Sequence, residues 1–333
     1  MSGSKKIFIT GASGLLGSVI CRHLIDAGHE LLAIRRASSS MALLGGYANR
    51  IQWFEGDILD PEGFFEALQQ AEVVIHAAAM VSFDKRDHAR MMHVNVEGTA
   101  MLLHACMEAG IKHFIMISSI AAIGRVKNSG LINEDTKWQD SKYNSQYAIS
   151  KYQAELEVWR AGEEGLAFSI INPSVVLGMG DLQQSSAKLF KYVWDQKPFY
   201  TDALINYVDV EDVAEVTCKL VELGPQGRRY IVSAGDVPYK TLFDLMAKEL
   251  GKRAPSIKAN KAIVWAAVIA ETLKGWLTGT RPLVTAETAK LSRKNFRYDN
   301  TRVQKELGIR FRPLEETVIR LCGELKQKME TKH

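Results

Sequence analysis

A chain of 333 residues, 47% apolar and 24% charged, has room for one large α/β domain with a smaller appended region. Its formal net charge of +4 is small for this length. The basic residues form isolated pairs such as Lys5–Lys6 and Arg35–Arg36, so nucleic acid is not an expected partner. The cysteines, Cys21, Cys106, Cys218 and Cys322, stand far apart with no CxxC pair and no nearby His cluster. No metal site and no disulfide framework is expected from them; buried thiols in a reducing cytoplasm are.

The first residues run straight into a strand pattern, which leaves no room for a signal peptide. The longest apolar run, 262–270, falls far short of the roughly 20 residues of a membrane span. A soluble, cytoplasmic protein is expected. Oligomeric state is not legible, and a homo-oligomer is left open.

Short β-branched runs at 7–10, 31–34, 73–75, 114–117 and 168–171 read as buried parallel strands. Helix-period segments at 15–27, 62–70, 91–109 and 146–162 lie between them. Strand–helix alternation of this kind predicts an α/β Rossmann fold, a doubly wound parallel sheet with helices on both faces. Beyond Pro173 the pattern loosens. Helices are predicted at 187–195, 210–223, 242–250, 262–277 and 314–327, with a strand at 229–233. The expected organisation is a dinucleotide-binding domain over 1–175 and a smaller, mostly helical substrate lobe over 176–333, interleaved with late sheet strands.

Directly after the first strand stands Thr10-Gly11-Ala12-Ser13-Gly14-Leu15-Leu16-Gly17, a GxxGxxG string that opens a helix. Gly11 permits a tight turn, Gly14 lets the backbone approach a pyrophosphate, and Gly17 allows close helix–strand packing. The helix N-terminus adds unpaired N–H groups and partial positive charge for phosphates. A glycine trio alone is weak evidence; between the first strand and first helix of a βαβ unit it predicts a dinucleotide site spanning Gly11, Ser13, Gly14, Leu15 and Gly17.

The second strand ends in Arg35-Arg36, where a site for NAD(H) usually carries an acidic residue for the ribose 2′-hydroxyl. A guanidinium suits a 2′-phosphate, so NADP(H) is favoured over NAD(H). Two solvated loop charges are the plainer alternative. In Gly56-Asp57-Ile58, after the third strand, Asp57 is a candidate acceptor for the adenine amino group, with Ile58 beside it.

Tyr147 and Lys151 open a strongly helical segment at i, i+4, which places phenol and ammonium on one face. A free phenol, with a pKa of about 10, is a poor acid–base group at neutral pH. A neighbouring cation favours the phenolate and draws that value down. The string is common on ordinary helix faces, but two companions strengthen it. Ser118 and Ser119 end the fifth strand, at the sheet edge where open α/β proteins bind ligands, and a hydroxyl there can stabilise a developing alkoxide. Asn95 sits inside a predicted helix where its propensity is mediocre, which points to a structural or water-positioning task.

Taken in order, TGASGLLG, His76-Ala77-Ala78-Ala79, NVEGT, SSIAAIG, YAISK and NPSVVLG resemble the extended short-chain dehydrogenase/reductase superfamily, the NAD-dependent epimerase/dehydratase family. The closest resemblance is to its dihydroflavonol 4-reductase and 3β-hydroxysteroid dehydrogenase branch. The resemblance covers nearly the whole chain, and the tail from Phe296 to Gly308 fits it. It implies an NAD(P)-dependent oxidoreductase acting on CH–OH groups, with Ser119, Tyr147, Lys151 and Asn95 as its catalytic set. It also implies that Ala77, Ala78 and Ala79 line the cofactor and that Pro173, Ser174 and Val175 meet the nicotinamide carboxamide.

The departures are informative. Ile120 and Ala121 stand where dehydratases of the superfamily carry an acidic pair. Arg35 stands where epimerases carry an acid, and no arginine cluster for a sugar diphosphate is evident in the C-terminal half. The expected activity is therefore interconversion of a ketone or aldehyde with an alcohol on an apolar small molecule. A sugar-nucleotide epimerase and a non-enzymatic dinucleotide sensor are the alternatives. The 262–277 segment, apolar nearly all round, reads first as a helix packed on the substrate lobe, then as a pocket wall, and last as a peripheral membrane contact. Phe83, Trp138, Tyr143 and Met179 are candidate pocket-mouth residues.

Overall fold

The computed structural model describes residues 3–124, 130–141, 144–182, 186–260, 263–265 and 295–330. Strands β1 (Lys6–Thr10), β2 (Glu30–Arg35), β3 (Ile51–Glu55), β4 (Val73–His76) and β5 (His113–Ile117) alternate with helices α1 (Leu15–Asp26), α2 (Phe65–Gln69), α3 (His88–Met92) and α4 (Gly98–Glu108). The short strand β6 (Leu131–Ile132) precedes helix α5 (Gln146–Glu163) and strand β7 (Phe168–Pro173). Then come β8 (Val175–Leu177), α6 (Ala187–Trp194), β9 (Phe199–Tyr200), β10 (Leu204–Asp209), α7 (Val210–Leu223) and β11 (Arg229–Val232). The remainder is β12 (Gly235–Pro238), α8 (Tyr239–Leu250), β13 (Ile257–Lys258), β14 (Arg297–Tyr298), α9 (Thr301–Leu307) and α10 (Leu314–Glu330).

Seven strands form one parallel sheet in the order β11-β7-β5-β4-β1-β2-β3. The period-2 alternation of a strand explains why their runs are apolar throughout. Ile7, Ile9, Leu31, Ala33, Val73, Ile75, Ile115 and Ile117 point into one cluster, with Leu24 of α1, Leu220 of α7 and Val303 of α9. Phe8, Leu32, Val74, Phe114 and Met116 point into the other, with Leu68 of α2, Leu102 of α4 and Val158 of α5. Both faces are covered, as the doubly wound expectation requires.

A smaller sheet of β8, β10 and β12 adjoins a third cluster built from α6, α8 and α10, including Phe190, Leu242 and Leu321. Strand β11 and helix α7 return from this half of the chain to the main sheet and its first cluster. Two carboxylates with no exposure bind α7 to the C-terminal segment. Asp209 meets Arg320 at 2.6 Å and Thr317 at 2.7 Å, and Asp212 pairs with Arg312.

Several elements differ from expectation. The 62–70 segment splits into a 3₁₀ turn at Pro61–Phe64 and the five-residue α2, because the proline at its start favours a tight first turn. The 91–109 helix begins earlier, at His88, and is interrupted by a π-turn at His93–Glu97. Strands β8 and β12 are short and partly exposed, so they carry little apolar signal; β10, six residues with four buried, also lies outside the predicted strands, its apolar run being broken by Asn206. Cys21, Cys106 and Cys322 are buried as expected, but Cys218 is half-buried at the edge of its cluster. Of the 262–277 segment only 263–265 are described, and these are helical. Tyr143 also lies outside the described residues.

Candidate active site

In the sheet order, the strand connections reverse direction between β1 and β4, and it is outside the strand ends at such a reversal that open α/β sheets bind ligands. Thr10 and His76 stand level there, one residue before Gly11 and Ala77. Gly11 has a φ of 74°, and a Cβ on it would meet the Ala78 backbone nitrogen at 2.7 Å. A Cβ on Gly17 would strike the Gly11 carbonyl oxygen, so glycine at 17 lets α1 lie this close to the turn, and glycine at 11 lets the loop after β4 do the same. Gly14 caps α1 without a side-chain hydrogen bond, which leaves the first-turn N–H groups of Leu15 and its neighbours directed at the crevice. Ser13 lies on the same turn and is half-buried.

The loop after β4 is held to that turn from below. Thr10 Oγ1 accepts from Ala78 N at 3.2 Å and shares a 2.8 Å hydrogen bond with His76 Nδ1. His76 Nε2 meets Thr99 Oγ1 at 3.0 Å. Burial, and the nearby Lys151 cation, push the His76 imidazole down to about 3, so it is neutral across the working range. Asn95 completes this scaffold. Its Oδ1 accepts from Met80 N at 2.7 Å, and its Nδ2 donates to Met80 O at 2.9 Å and to Ser150 Oγ at 3.0 Å. It occupies the π-turn, an irregularity that turns this amide out of the helical ladder toward the loop. Asn95 thus ties the loop carrying Ala77, Ala78 and Ala79 to the helix carrying Tyr147.

Helix α5 starts at Ser145, whose side chain accepts from Ala148 N at 3.0 Å. Tyr147 sits in the first turn, where the helix N-terminus adds to the attraction for a phenolate. It is half-buried, with Phe83 packed edge-on at 6.1 Å. One turn deeper, Lys151 is 2% exposed and donates to the Ile117 carbonyl, the last residue of β5, at 2.9 Å. Burial lowers its ammonium to about 8, while Glu155 acts in the opposite direction. Ser118 and Ser119 follow Ile117 directly. Ser119 is extended, and its Oγ accepts from Ala121 N at 3.2 Å, capping a 3₁₀ turn that ends at Gly124. That glycine has a φ of 88° and lies against Trp138, whose indole stacks on Tyr152 at 4.2 Å.

Among the described residues, several buried polar atoms find no protein partner, and three of them belong to this crevice: Arg35 Nε, Ser118 Oγ and Ser174 Oγ. Buried polar atoms rarely stay unsatisfied. Arg35 ends β2, Ser118 follows β5 and Ser174 follows β7, so all three stand at the carboxyl edge of the sheet. These orphans, with the side-chain-free cradle at Gly11, fit an extended polar ligand such as a dinucleotide. Arg36 and Asp57 are exposed at the outer edge, Ile58 is buried against Gly98, and Pro173 and Val175 flank Ser174.

Met179 is 5% exposed inside the third cluster, so it packs in the core and does not stand at a pocket mouth. Phe83 and Trp138 do stand beside Tyr147 and α5. Sequence reasoning missed Glu155, Asn172 and Arg229, which lie together beneath Ser119 and Lys151. The signal for Glu155 was available: it extends the Tyr147–Lys151 spacing by another four residues. Asn172 and Arg229 come from distant strands and carry no such period.

The family model of the NAD dependent epimerase/dehydratase family matches residues 7–233. A Synechocystis sp. protein that carries the name dihydroflavonol 4-reductase is 30% identical over 91% of this chain and 89% of its own length. Sterol demethylase protein B of Methylococcus capsulatus is 26% identical over 90% of this chain and 92% of its own. Among solved structures, that of gox2253 superposes with a TM-score of 0.82 at 28% identity, covering 98% of this chain and 99% of the other. Bordetella bronchiseptica WbmH in complex with NAD+ shares the fold with a TM-score of 0.75 at 22% identity, covering 98% and 99%. The chain belongs to the NAD-dependent epimerase/dehydratase family, within the extended short-chain dehydrogenase/reductases, and is an NAD(P)-dependent enzyme.

Proposed function

We propose that this enzyme reduces a ketone or aldehyde on an apolar small molecule, or oxidises the matching alcohol, with NADP(H) favoured over NAD(H). The observation that carries the reading is Lys151, a buried ammonium one helical turn beneath Tyr147 and bonded to the strand end that bears Ser119. When bound, the nicotinamide cofactor supplies or accepts the hydride. The Gly11–Gly17 turn, with Ser13, Gly14 and Leu15, would hold its pyrophosphate. Arg35 and Arg36 would hold the 2′-phosphate, and Asp57 and Ile58 the adenine. Ala77, Ala78 and Ala79 would line it, with Lys151 and Tyr147 at the nicotinamide ribose and Pro173, Ser174 and Val175 at the carboxamide.

The chain's own residues do the rest. Ser119 Oγ accepts from Ala121 and turns its own proton to the substrate oxygen, which fixes the carbonyl. Tyr147 gives that oxygen its proton. The phenolate left behind is stabilised by the Lys151 cation and by the N-terminus of α5. Asn95 keeps the loop and helix in register, and one lone pair of its Oδ1 is left for a water that leads protons to solvent. We assign the cofactor to residues 1–175 and the substrate to 176–333, with β11 and α7 returned to the first part.

Two observations favour a simple reductase over a sugar-nucleotide epimerase. Five arginines of the C-terminal half, Arg228, Arg229, Arg302, Arg312 and Arg320, are already paired with carboxylates. Phe83 and Trp138 furnish aromatic surface beside Tyr147 and α5. The relatives named for dihydroflavonol, cinnamoyl-CoA and anthocyanidin reduction support the same choice. The test is NADPH absorbance against a panel of carbonyl compounds, with wild type and Tyr147→Phe. Turnover should fall about 10²- to 10⁴-fold in the variant, with NADPH affinity within a few-fold. A variant that retains most of its turnover would refute the assignment of Tyr147.

A further inference from the structure

Glu155 follows Lys151 by four residues on the same face of α5, and its side chain is 1% exposed. A carboxylate this deep is expensive unless it is paired and hydrogen-bonded. Oε1 accepts from Asn172 Nδ2 at 2.5 Å, and Oε2 meets Arg229 Nη1 at 3.3 Å. The same Asn172 nitrogen donates to the Ser119 carbonyl at 2.9 Å. Two acceptors fix the orientation of that amide, because flipping it would set an oxygen against both of them. Glu155 is therefore one hydrogen-bonded side chain away from the backbone of Ser119.

Arg229 pairs with Glu155 but gives most of its donors to other groups. Its Nε and Nη2 donate to the Glu134 carbonyl at 2.8 and 2.6 Å, and Nη2 also reaches the Thr136 carbonyl at 3.2 Å. Only Nη1, at the long distance of 3.3 Å, is given to Glu155. The other side chains around the pair leave the balance unchanged. On β4, His76 is neutral and has both ring nitrogens engaged. Glu134 points its carboxylate at Ile231 N and lies 3.8 Å from Arg302, beyond Arg229. From β5 and β7 the nearby polar side chains, Ser118, Ser119, Asn172 and Ser174, carry no charge. Lys151, four residues earlier on the same face of α5, is the second cation that the charge of Glu155 favours.

We infer that Glu155 is a positioning residue for both halves of the acid–base group: through Asn172 it holds the Ser119 turn, and its charge keeps Lys151 an ammonium. This rests on the reading that Ser119, Tyr147 and Lys151 carry the chemistry. The two functions separate by mutation. Glu155→Gln keeps an acceptor for Asn172 but removes the charge. Asn172→Leu cuts the link to Ser119 but leaves the Glu155–Arg229 pair, and it also removes Asn172 Oδ1, a buried acceptor without a partner.

The experiment is a fluorescence titration with NADPH between pH 7 and 9.5 on wild type, Lys151→Ala and both variants, with carbonyl turnover measured beside it. Wild-type affinity should weaken as Lys151 loses its proton, and Lys151→Ala should be flat. In Glu155→Gln the midpoint should fall by about one pH unit, a factor of about ten in the protonation equilibrium. Binding near pH 8 is then about five-fold weaker than wild type, while pH 7 values stay close. Asn172→Leu should keep the wild-type midpoint and lose at least about ten-fold in kcat, as expected when an active-site group is misplaced. An ion pair that merely ties α5 to β11 would lower stability in Glu155→Gln and leave the midpoint where it was; that result overturns the inference. A wild-type pH dependence surviving in Lys151→Ala overturns the parent reading instead, and this inference with it. Should Glu155→Gln not fold, Glu155→Gln/Arg229→Met removes the uncompensated guanidinium, and its midpoint should still move down, by less.

Discussion

At the β1–α1 turn the cofactor cradle is made of backbone, whereas on the β5–α5 side the acid–base group is made of buried side chains. Gly11 and Gly17 act by what they lack: a Cβ at either place would collide with main chain. Lys151, Glu155 and Asn172 act by what they bring into the protein interior, at 2%, 1% and 0% exposure. The first region is specified sterically and tolerates no added atoms. The second is specified electrostatically, and its charges must be removed in matched sets. The difference predicts that mutations at the two ends fail in different ways.

Gly17→Val breaks the cradle most severely. The new side chain meets the Gly11 carbonyl with no flexible neighbour to yield. Overpacking of this kind costs about 1–3 kcal/mol and displaces α1 from the turn. NADPH binding should be lost beyond detection in a fluorescence titration, while circular dichroism still reports a folded α/β protein. Retained micromolar binding would show that the helix end does not hold the pyrophosphate.

Arg35 lies between the two regimes, a side chain at the rim of a backbone-built site. Its Nε is buried without a partner. A charge-assisted bond contributes about 1.5–3 kcal/mol, and about 1.4 kcal/mol is ten-fold in affinity. Arg35→Ala should weaken NADPH roughly ten- to a hundred-fold and leave NADH within a few-fold. Equal loss of both cofactors, or a wild type that prefers NADH, would remove the NADP(H) assignment and leave the roles of Tyr147 and Lys151 intact.

How far this was readable from sequence follows the same division. Glycine spacing after a strand encodes a backbone site locally, so Gly11, Gly14 and Gly17 were legible as a unit. The i, i+4 spacing made Tyr147 and Lys151 legible too. Asn172 and Arg229 come from separate strands, and only the assembled sheet brings them to Glu155. The third strand, β3, has just one buried residue, Ile51, so it is marked in the sequence by its place before Gly56-Asp57 and not by an apolar run. Asn95 was singled out for poor helix propensity, but the π-turn that uses it depends on Met80 across the loop.

A last expected effect concerns pH and stability. The ammonium of Lys151 titrates near 8 in the folded chain and at its ordinary, higher value when unfolded. Between those limits the unfolded chain binds more protons, so this residue's contribution makes the fold more stable as pH rises through the window. The slope is at most ~1.4 kcal/mol per pH unit. Urea midpoints of wild type should therefore gain on those of Lys151→Met from pH 8 to 10. Parallel curves would mean that Lys151 is not held against desolvation.

The central claim is that Tyr147, with Lys151 behind it and Ser119 opposite, serves direct reduction of a carbonyl. Its most direct test uses NADPH carrying deuterium at carbon 4 of the nicotinamide, a panel of apolar ketones and aldehydes, and mass spectrometry of the products. Wild type should place one deuterium on the new carbinol carbon with matching loss of NADPH, and Tyr147→Phe should do so at least about a hundred-fold more slowly. Epimerised sugar nucleotide with no net loss of NADPH, or equal deuterium transfer by both proteins, would contradict the account.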